Sequence, residues 1–419
     1  MASNEKVIYV YADWVNQLPI LMGRLYVNVS RGKELFSFEY SKDWSCSTDA
    51  GFVFDPDLRL YNGRQYAPDK PLFGVFADSC PDRWGRLLMK RKEEMLARKE
   101  NRKPCALTES DFLLGVFDET RSGALRFSLE ENGPFLSAEK DDLPAPPWTT
   151  LRFLESASTA FESDESGREE KWLNRLLAPG SSLGGARPKA SVLAPDRSLW
   201  IAKFPSKNDE WNSGAWESVA HDLAAKCGLN VPEAKLETFS NTGSTFLVKR
   251  FDRAGNRRIH FSSAMAMLGK TDGAGSGEAS YLNIASFIKA NGASPKQDLI
   301  ELWNRIVFNM AVSNTDDHLR NHGFLLTEYG WKLSPMYDVN PDIYRNTLSL
   351  GVSENDNSVD FELAVETAQY YNISMHDARN TVADIQKTIS GNWQSLAVEK
   401  GLNKDSINRM EPAFSMEYK

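Results

Sequence analysis

The sequence predicts an α+β protein of two lobes, with an additional β-rich N-terminal subdomain and an all-helical C-terminal lobe. Three patterns predict it. The first forty residues hold short β-branched and aromatic runs, "KVIYVYADW", "MGRLYVNV" and "ELFSFEY", separated by polar turns such as SRGKE, the composition that strands prefer. In mid-chain a glycine-rich turn precedes a hairpin-like pair, "KASVLAP" and "LWIAKFP". From Tyr281 onward the apolar spacing is helical, and "DLIELWNRIVFNMAVSN" is apolar nearly all round, the mark of a buried helix.

Each element follows in order. After the first strands, DRWGRLLMKRKEEMLARKE spaces Trp84, Leu87, Leu88 and Met95 among charges that read as a solvated helical face. "EENGPFLSAEKDDLPAPPW" concentrates Pro, Gly and charge and marks a domain boundary. "KWLNRLLAPG" predicts a helix ending at Gly180, and Asp196-Arg197 joins the two mid-chain strands. "AWESVAHDLAAKCG" predicts a helix closed by Gly228. "STFLVKRFDR" reads as a strand, "YLNIASFIKANG" as a helix to Gly292, and "HGFLL" with "GWKLSPMYD" as short strands around EYG. The expected divisions are residues 1–145 for the N-terminal subdomain, 146–254 for the lobe with the glycine-rich turn, and 255–419 for the helical lobe.

Composition narrows the function classes. At 419 residues, 41% hydrophobic and 25% charged, the chain matches an ordinary soluble globular protein with room for two or three domains. A net charge of −8 argues against broad electrostatic binding of nucleic acid. Cys46, Cys80, Cys105 and Cys227 show no CxxC spacing, which gives no support for a structural zinc site or a disulfide framework. The opening MASNEKVIYVYADW lacks the basic and apolar regions of a signal peptide, and no run of 18 apolar residues predicts a membrane span. A reduced, cytoplasmic location is the expectation.

Three constellations carry chemistry. "SNTDDHLRNHGFLL" follows directly on the buried helix and places Asp316 five residues before Asn321. In phosphoryl transfer an Asp can accept the proton of the attacking hydroxyl while an Asn five residues on holds magnesium. Asp338, 17 residues after Asn321 in "SPMYDVNP", could supply a second metal-holding carboxylate. Taken alone, such a stretch is as readily a polar turn. His318 and His322 have a spacing found in zinc sites, but Gly323 and the strand-like Phe324-Leu325-Leu326 argue against one shared helix. "GSSLGGARPKA" is neither GxGxxG nor a P-loop. Its glycines would nevertheless let backbone N–H groups approach a phosphate, and otherwise it is a flexible turn. Lys203, mid-strand among apolar neighbours, either snorkels to water or grips nucleotide phosphates with a helical glutamate, for which Glu217 is the candidate. Glycine-rich turn, strand lysine, helical glutamate, strand, Asp, Asn, Asp is the order of parts in protein kinases, and implies a kinase-like arrangement of the two lobes.

These motifs, with "LMGRLYVNVSRGKELFSFEYSKDW", "FGVFADSCPDRWGRLLMKRK" and "SGALRFS" at the N-terminus and "LVKRFDR" and "SYLNIASFI" in the core, closely resemble the HipA family of bacterial serine/threonine kinases over nearly the whole chain. The family comprises the toxin halves of toxin–antitoxin pairs. NTDDHxxN combined with PxYD is its most specific feature here. The resemblance implies ATP and Mg2+ as cofactors. It makes Asp316 the catalytic base, Asn321 and Asp338 the magnesium ligands, and Lys203 the phosphate-gripping lysine. The nucleotide would also meet Ser182, Leu183, Gly184 and Gly185 of the loop, Asp338, and the hinge at Lys249 and Phe251. Backbone groups of Lys249 and Phe251 would face the adenine, although the family normally carries an acidic residue where Lys249 stands. Ser182, with Ser181 as its neighbour and competitor, matches the inactivating autophosphorylation position. His318 and Arg320 would support the catalytic loop. The implied partners are a protein substrate of the aminoacyl-tRNA synthetase class, a HipB-like helix-turn-helix antitoxin and, mainly through it, operator DNA; no membrane partner is implied. A small-molecule phosphotransferase and an inactive regulator remain as alternatives.

Overall fold

The aromatic and β-branched runs of the first forty residues become strands β1 (Lys6–Ala12), β2 (Ile20–Ser30) and β3 (Lys33–Tyr40) in the computed structural model. It describes residues 5–15, 18–47, 51–67, 69–136, 145–163, 176, 185, 187–271 and 279–416. With β4 (Gln65–Tyr66) and β5 (Leu125–Ser128) they form an antiparallel sheet of order β4-β3-β2-β1-β5. The SRGKE turn is the two-residue connection Arg31-Gly32, with φ of 52° and 76°. Both residues at positive φ give the primed turn whose twist matches that of the flanking strands. Ile8, Val10, Leu25, Phe36, Phe38 and Phe127 close over one core with Phe73 and Phe76.

Two compact units make up the chain. The first comprises Met1–Lys207 and Arg250–Ser262, the second Asn208–Lys249 and Ser263–Lys419. The predicted basic helix is α1 (Arg83–Lys99), opened by the Asp82 side chain, which accepts the Gly85 N–H at 2.7 Å. Strands β6 (Lys189–Leu193) and β7 (Leu199–Lys203) pair antiparallel across a connection whose Arg197 takes φ of 67°. The boundary segment 137–144 and most of "KWLNRLLAPG" lie outside the described residues.

One charge cluster in the first unit joins parts far apart in sequence. Arg250 donates to the Thr120 carbonyl at 2.6 Å and the Arg121 carbonyl at 3.0 Å, and Arg253 donates to Arg121 at 2.7 Å. Between them buried Asp252 accepts from Arg250 at 2.6 Å, Arg253 at 2.8 Å and the Gly123 N–H at 2.8 Å. Burial alone would push the Asp252 carboxyl up; the two guanidinium groups outweigh it and hold it well below the usual carboxylate range.

In the second unit the helix predicted to end at Gly228 is α2 (Ser213–Lys226). Gly228 has φ of 78°, and the N–H groups of Gly228 and Leu229 return to the helix carbonyls of Ala225 and Ala224, the C-terminal geometry glycine favours. Strands β8 (Ala234–Ser240) and β9 (Gly243–Lys249) form a hairpin. Helix α3 (Tyr281–Asn291) stops at Gly292 as read, and α4 (Pro295–Ala311) is the all-round apolar helix, buried from Leu302 onward except at Asn304. Besides its helices, this lobe carries the expected short hairpin, β10 (Gly323–Thr327) with β11 (Gly330–Leu333). Buried polar groups on α4 dock it: Asp298 accepts the Leu333 N–H at 3.0 Å, and Arg305 donates to the Ser334 carbonyl at 2.8 Å. Helices α5 (Phe361–Thr367), α6 (Met375–Glu399) and α7 (Lys404–Phe414) complete the core. Among the described residues no helix is long and apolar enough to cross a membrane.

Asp252→Ala removes the carboxylate between buried Arg250 and half-buried Arg253. Equilibrium denaturation should show a loss of about 3–5 kcal/mol, the usual cost of stranding buried charge; an unchanged midpoint would contradict this account of the cluster.

Candidate active site

The segment after α4 is fixed residue by residue. Ser313 turns the chain with φ of 51°, and its hydroxyl donates to the Ala413 carbonyl at 2.9 Å. Asn314 donates to Asn309 Oδ1 at 3.0 Å and accepts the Asn340 N–H at 3.2 Å. The Thr315 hydroxyl donates to Asp342 at 2.9 Å, and the Thr315 carbonyl accepts both the N–H and the hydroxyl of Ser349.

The two adjacent aspartates have opposite environments. Asp317 is buried, and its Oδ2 accepts from the Tyr281 hydroxyl at 2.6 Å, Asn309 at 2.8 Å and His322 Nε2 at 2.8 Å. Burial would raise its carboxyl, but the His322 imidazole and the Tyr281 hydroxyl draw it below the ordinary value. The same site pushes the Tyr281 phenol up, through burial first and the Asp317 charge second. Asp317 therefore ties the loop to α3, to α4 and to the start of β10. The Asp316 side chain is 69% exposed and among the described residues meets Arg345 alone, whose Nη1 donates to Oδ1 at 3.2 Å.

Around Asp316 stand the other predicted loop residues. Asn321 is buried, and its side-chain nitrogen donates to the Asp316 carbonyl at 3.2 Å. That bond fixes the amide so that its oxygen is the group left to accept or ligate. Arg320 contacts His318 Nε2 at 3.0 Å, and the Arg320 carbonyl accepts from the Tyr337 hydroxyl at 2.7 Å. Asp338 follows Tyr337 with φ of 61°, a left-handed conformation uncommon outside glycine, and Asn340 lies 3.5 Å from its Oδ1. Strain of this kind persists where the surroundings over-determine it and clusters at functional sites. An amide oxygen and a carboxylate are the hard donors magnesium takes. The zinc alternative finds no support, because His322 is committed to Asp317 and no described group of three or more His, Cys, Asp or Glu could hold a metal.

The remaining predicted residues divide between the units. Lys203 ends β7, half-buried, with Lys189 as its register partner. Lys189 is itself buried and paired with Asp82 at 3.0 Å, while Gly185, with φ of 94°, would bring a Cβ to 2.9 Å from the Lys189 amine. Only glycine suits that position. Ser181, Ser182, Leu183 and Gly184 lie outside the described residues. Glu217 is buried on α2. The Lys249 N–H already donates to the Glu233 carbonyl at 2.8 Å, so an adenine contact there would fall to its carbonyl oxygen. The Lys249 amine pairs with Glu233 at 3.0 Å in solvent. Half-buried Phe251 packs its ring 6.0 Å from that of Phe261.

The sequence reading missed the anchoring role of Asp317, its partners Tyr281 and Asn309, and Arg345. Asn309, a polar residue within "IVFNMAV", carried a signal, since a buried amide requires a partner. Tyr281, 36 residues from Asp317, carried none.

Asp317→Ala should destabilise the protein by about 3–5 kcal/mol, by stranding three buried donors. Asp316→Ala should leave the denaturation midpoint within about 0.5 kcal/mol of the parent, as exposed positions do. Equal effects would contradict the assignment of anchor and free carboxylate.

Comparison with known proteins bears on the family and the fold. The HipA-like C-terminal domain family matches residues 181–393, 213 of the 419. A Sinorhizobium fredii protein named "Putative kinase Y4mE" is 31% identical over 148 residues, 33% of each chain. A Haemophilus influenzae protein with the same kinase designation is 26% identical over 194 residues, 40% of this chain and 56% of its own. The chain thus spans a third to about half of the length of these relatives. Its fold is similar to HipA of Shewanella oneidensis MR-1, solved with HipB and operator DNA, with a TM-score of 0.65 at 17% identity over 97% of this chain and 95% of that one. With more than half its length matched by that family, loop and PMYD segment included, the chain belongs to the HipA-like C-terminal domain family.

Proposed function

We propose that the chain is an ATP-dependent protein serine/threonine kinase of the HipA toxin type. The observation that carries this reading is the division of labour at Asp316 and Asp317. A buried carboxylate fixes the loop while its neighbour faces solvent, one residue type serving as anchor and base. Asp316 orients an acceptor hydroxyl and takes its proton as the oxygen bonds to the γ-phosphorus of ATP; the bond to the β-phosphate oxygen breaks and ADP leaves. Asn321 and Asp338 hold magnesium, and Lys203, with Glu217 as its candidate partner, holds the nucleotide phosphates. Bound magnesium supplies neutralisation of charge on the transferring phosphoryl group. Phe251 flanks the adenine, with the Lys249 carbonyl at its edge, and Arg320 with His318 supports the loop.

Family membership and the Shewanella fold support the finer parts of the reading. The substrate is a translation component of the aminoacyl-tRNA synthetase class, whose modification arrests growth. A small HipB-like antitoxin binds the chain and supplies the basic surface for operator DNA, in keeping with the net charge of −8. Phosphate on Ser182, or Ser181, would add about −1.5 to −2 charges to the glycine-rich turn that is to receive the nucleotide phosphates, and so shut the kinase off. A small-molecule phosphotransferase would not need the five-stranded N-terminal sheet.

Incubation of the purified chain with Mg-ATP followed by mass spectrometry tests this. Phosphate should appear on Ser182 or Ser181 and vanish in Asp316→Asn. Its absence there and on every protein of a cell extract would favour an inactive regulator.

A further inference from the structure

Resting on the kinase reading, we infer that Asn314 is a positioning residue, the middle of a buried amide relay that carries the anchoring of Asp317 across to the turn bearing Asp338. The relay has three bonds. Asn309 Nδ2 donates to Asp317 Oδ2 at 2.8 Å, Asn314 Nδ2 donates to Asn309 Oδ1 at 3.0 Å, and Asn314 Oδ1 accepts the Asn340 N–H at 3.2 Å. Asn309, Asn314 and Asp317 are all buried, so water does not compete for these groups, and a bond lost here strands its partner.

Both ends of the relay are fixed by groups that cannot exchange roles. The Asp317 carboxylate can only accept, and the Asn340 backbone N–H can only donate. Asn309 must therefore turn its nitrogen to Asp317 and its oxygen to Asn314. Asn314 must in turn give its nitrogen to Asn309 and keep its oxygen for Asn340. Flipping either asparagine would set oxygen against oxygen at one contact and nitrogen against nitrogen at the other.

The relay ends two residues beyond Asp338, whose φ of 61° is left-handed. On the other side of Asp338 the Tyr337 hydroxyl donates to the Arg320 carbonyl at 2.7 Å. The turn bearing Asp338 is thus bound to the candidate catalytic loop on both sides, at Arg320 before it and at Asn314 after it. The tie at Asn314 runs on through α4 to the buried carboxylate. Released from it, Asp338 would relax toward the commoner negative φ, and its carboxylate would leave its present direction. Asn314 would then act on magnesium without touching it, by holding the residue that does.

The test compares N309A, N314A and the N309A/N314A double variant with wild type, each as the full chain and below its denaturation midpoint. Mn2+ binding in the presence of the non-hydrolysable nucleotide AMPPNP, followed by electron paramagnetic resonance, reads the metal site without turnover. Transfer of phosphate to the chain itself, measured against Mg2+ concentration at saturating ATP, reads the same site at work. N314A should weaken Mn2+ binding by about tenfold, the order of one buried hydrogen bond. Excess Mg2+ should recover most of its lost rate, which a partly unfolded site would not allow. N309A should show the same metal defect, and the double variant should bind Mn2+ about as well as the poorer single, because either change breaks one relay. If N314A does not fold, N314S takes its place with the same expectation, since a serine hydroxyl is too short to span Asn309 and Asn340. Wild-type Mn2+ binding in the Asn314 variant overturns the inference. So does a double variant whose losses multiply, a lost rate that no Mg2+ concentration recovers, or a wild type that labels itself without binding Mn2+; those outcomes leave the kinase reading standing. A wild type that neither binds Mn2+ with AMPPNP nor labels itself overturns both.

Discussion

The buried carboxylate of Asp317 is the constraint on which the candidate site depends. A lone carboxylate is costly to bury, and three donors make this burial tolerable: a tyrosine hydroxyl from α3, an asparagine amide from α4 and an imidazole at the edge of β10. Because those donors come from three elements, their convergence sets the path of the loop between them. Asp316, in the turn just before Asp317, then faces solvent. Its readiness for chemistry is a consequence of its neighbour's immobility.

A second buried carboxylate plays a comparable part in the first unit. Asp252 lies between Arg250 and Arg253, and the same arginines reach the carbonyls of Thr120 and Arg121. "VKRFDR" was read as a hinge, with interest in the backbone of Lys249 and the ring of Phe251. Its charged side chains are equally consequential, since they lock the segment to a turn 130 residues away. Around Arg345 the contacts are weaker: its side chain and that of Asp316 are both exposed.

Much of the fold was legible because it rests on local rules. Gly228, at positive φ, closes its helix, Gly292 ends the next, Arg31-Gly32 makes the predicted turn, and the all-round apolar helix is buried. The candidate site stands in the sequence as an order of residue types, with Asp316, Asn321 and Asp338 at the chain spacings on which the phosphoryl-transfer reading rests. Less legible was the use of each residue. The amide nitrogen of Asn321 is directed to the Asp316 carbonyl, and the Lys249 N–H is committed to Glu233, neither of which any spacing implies.

The sequence by itself therefore determined the strands, the helix ends, the loop's composition and the family. Those features depend on backbone preferences and on periodicities of two to four residues, which neighbours along the chain express directly. Only the tertiary structure decided which of two adjacent aspartates is buried, which arginine stands before the other, and what strain Asp338 carries. Those outcomes depend on donors contributed from 5 to 36 residues away, and a buried charge selects its partners by proximity in space, which sequence separation does not encode.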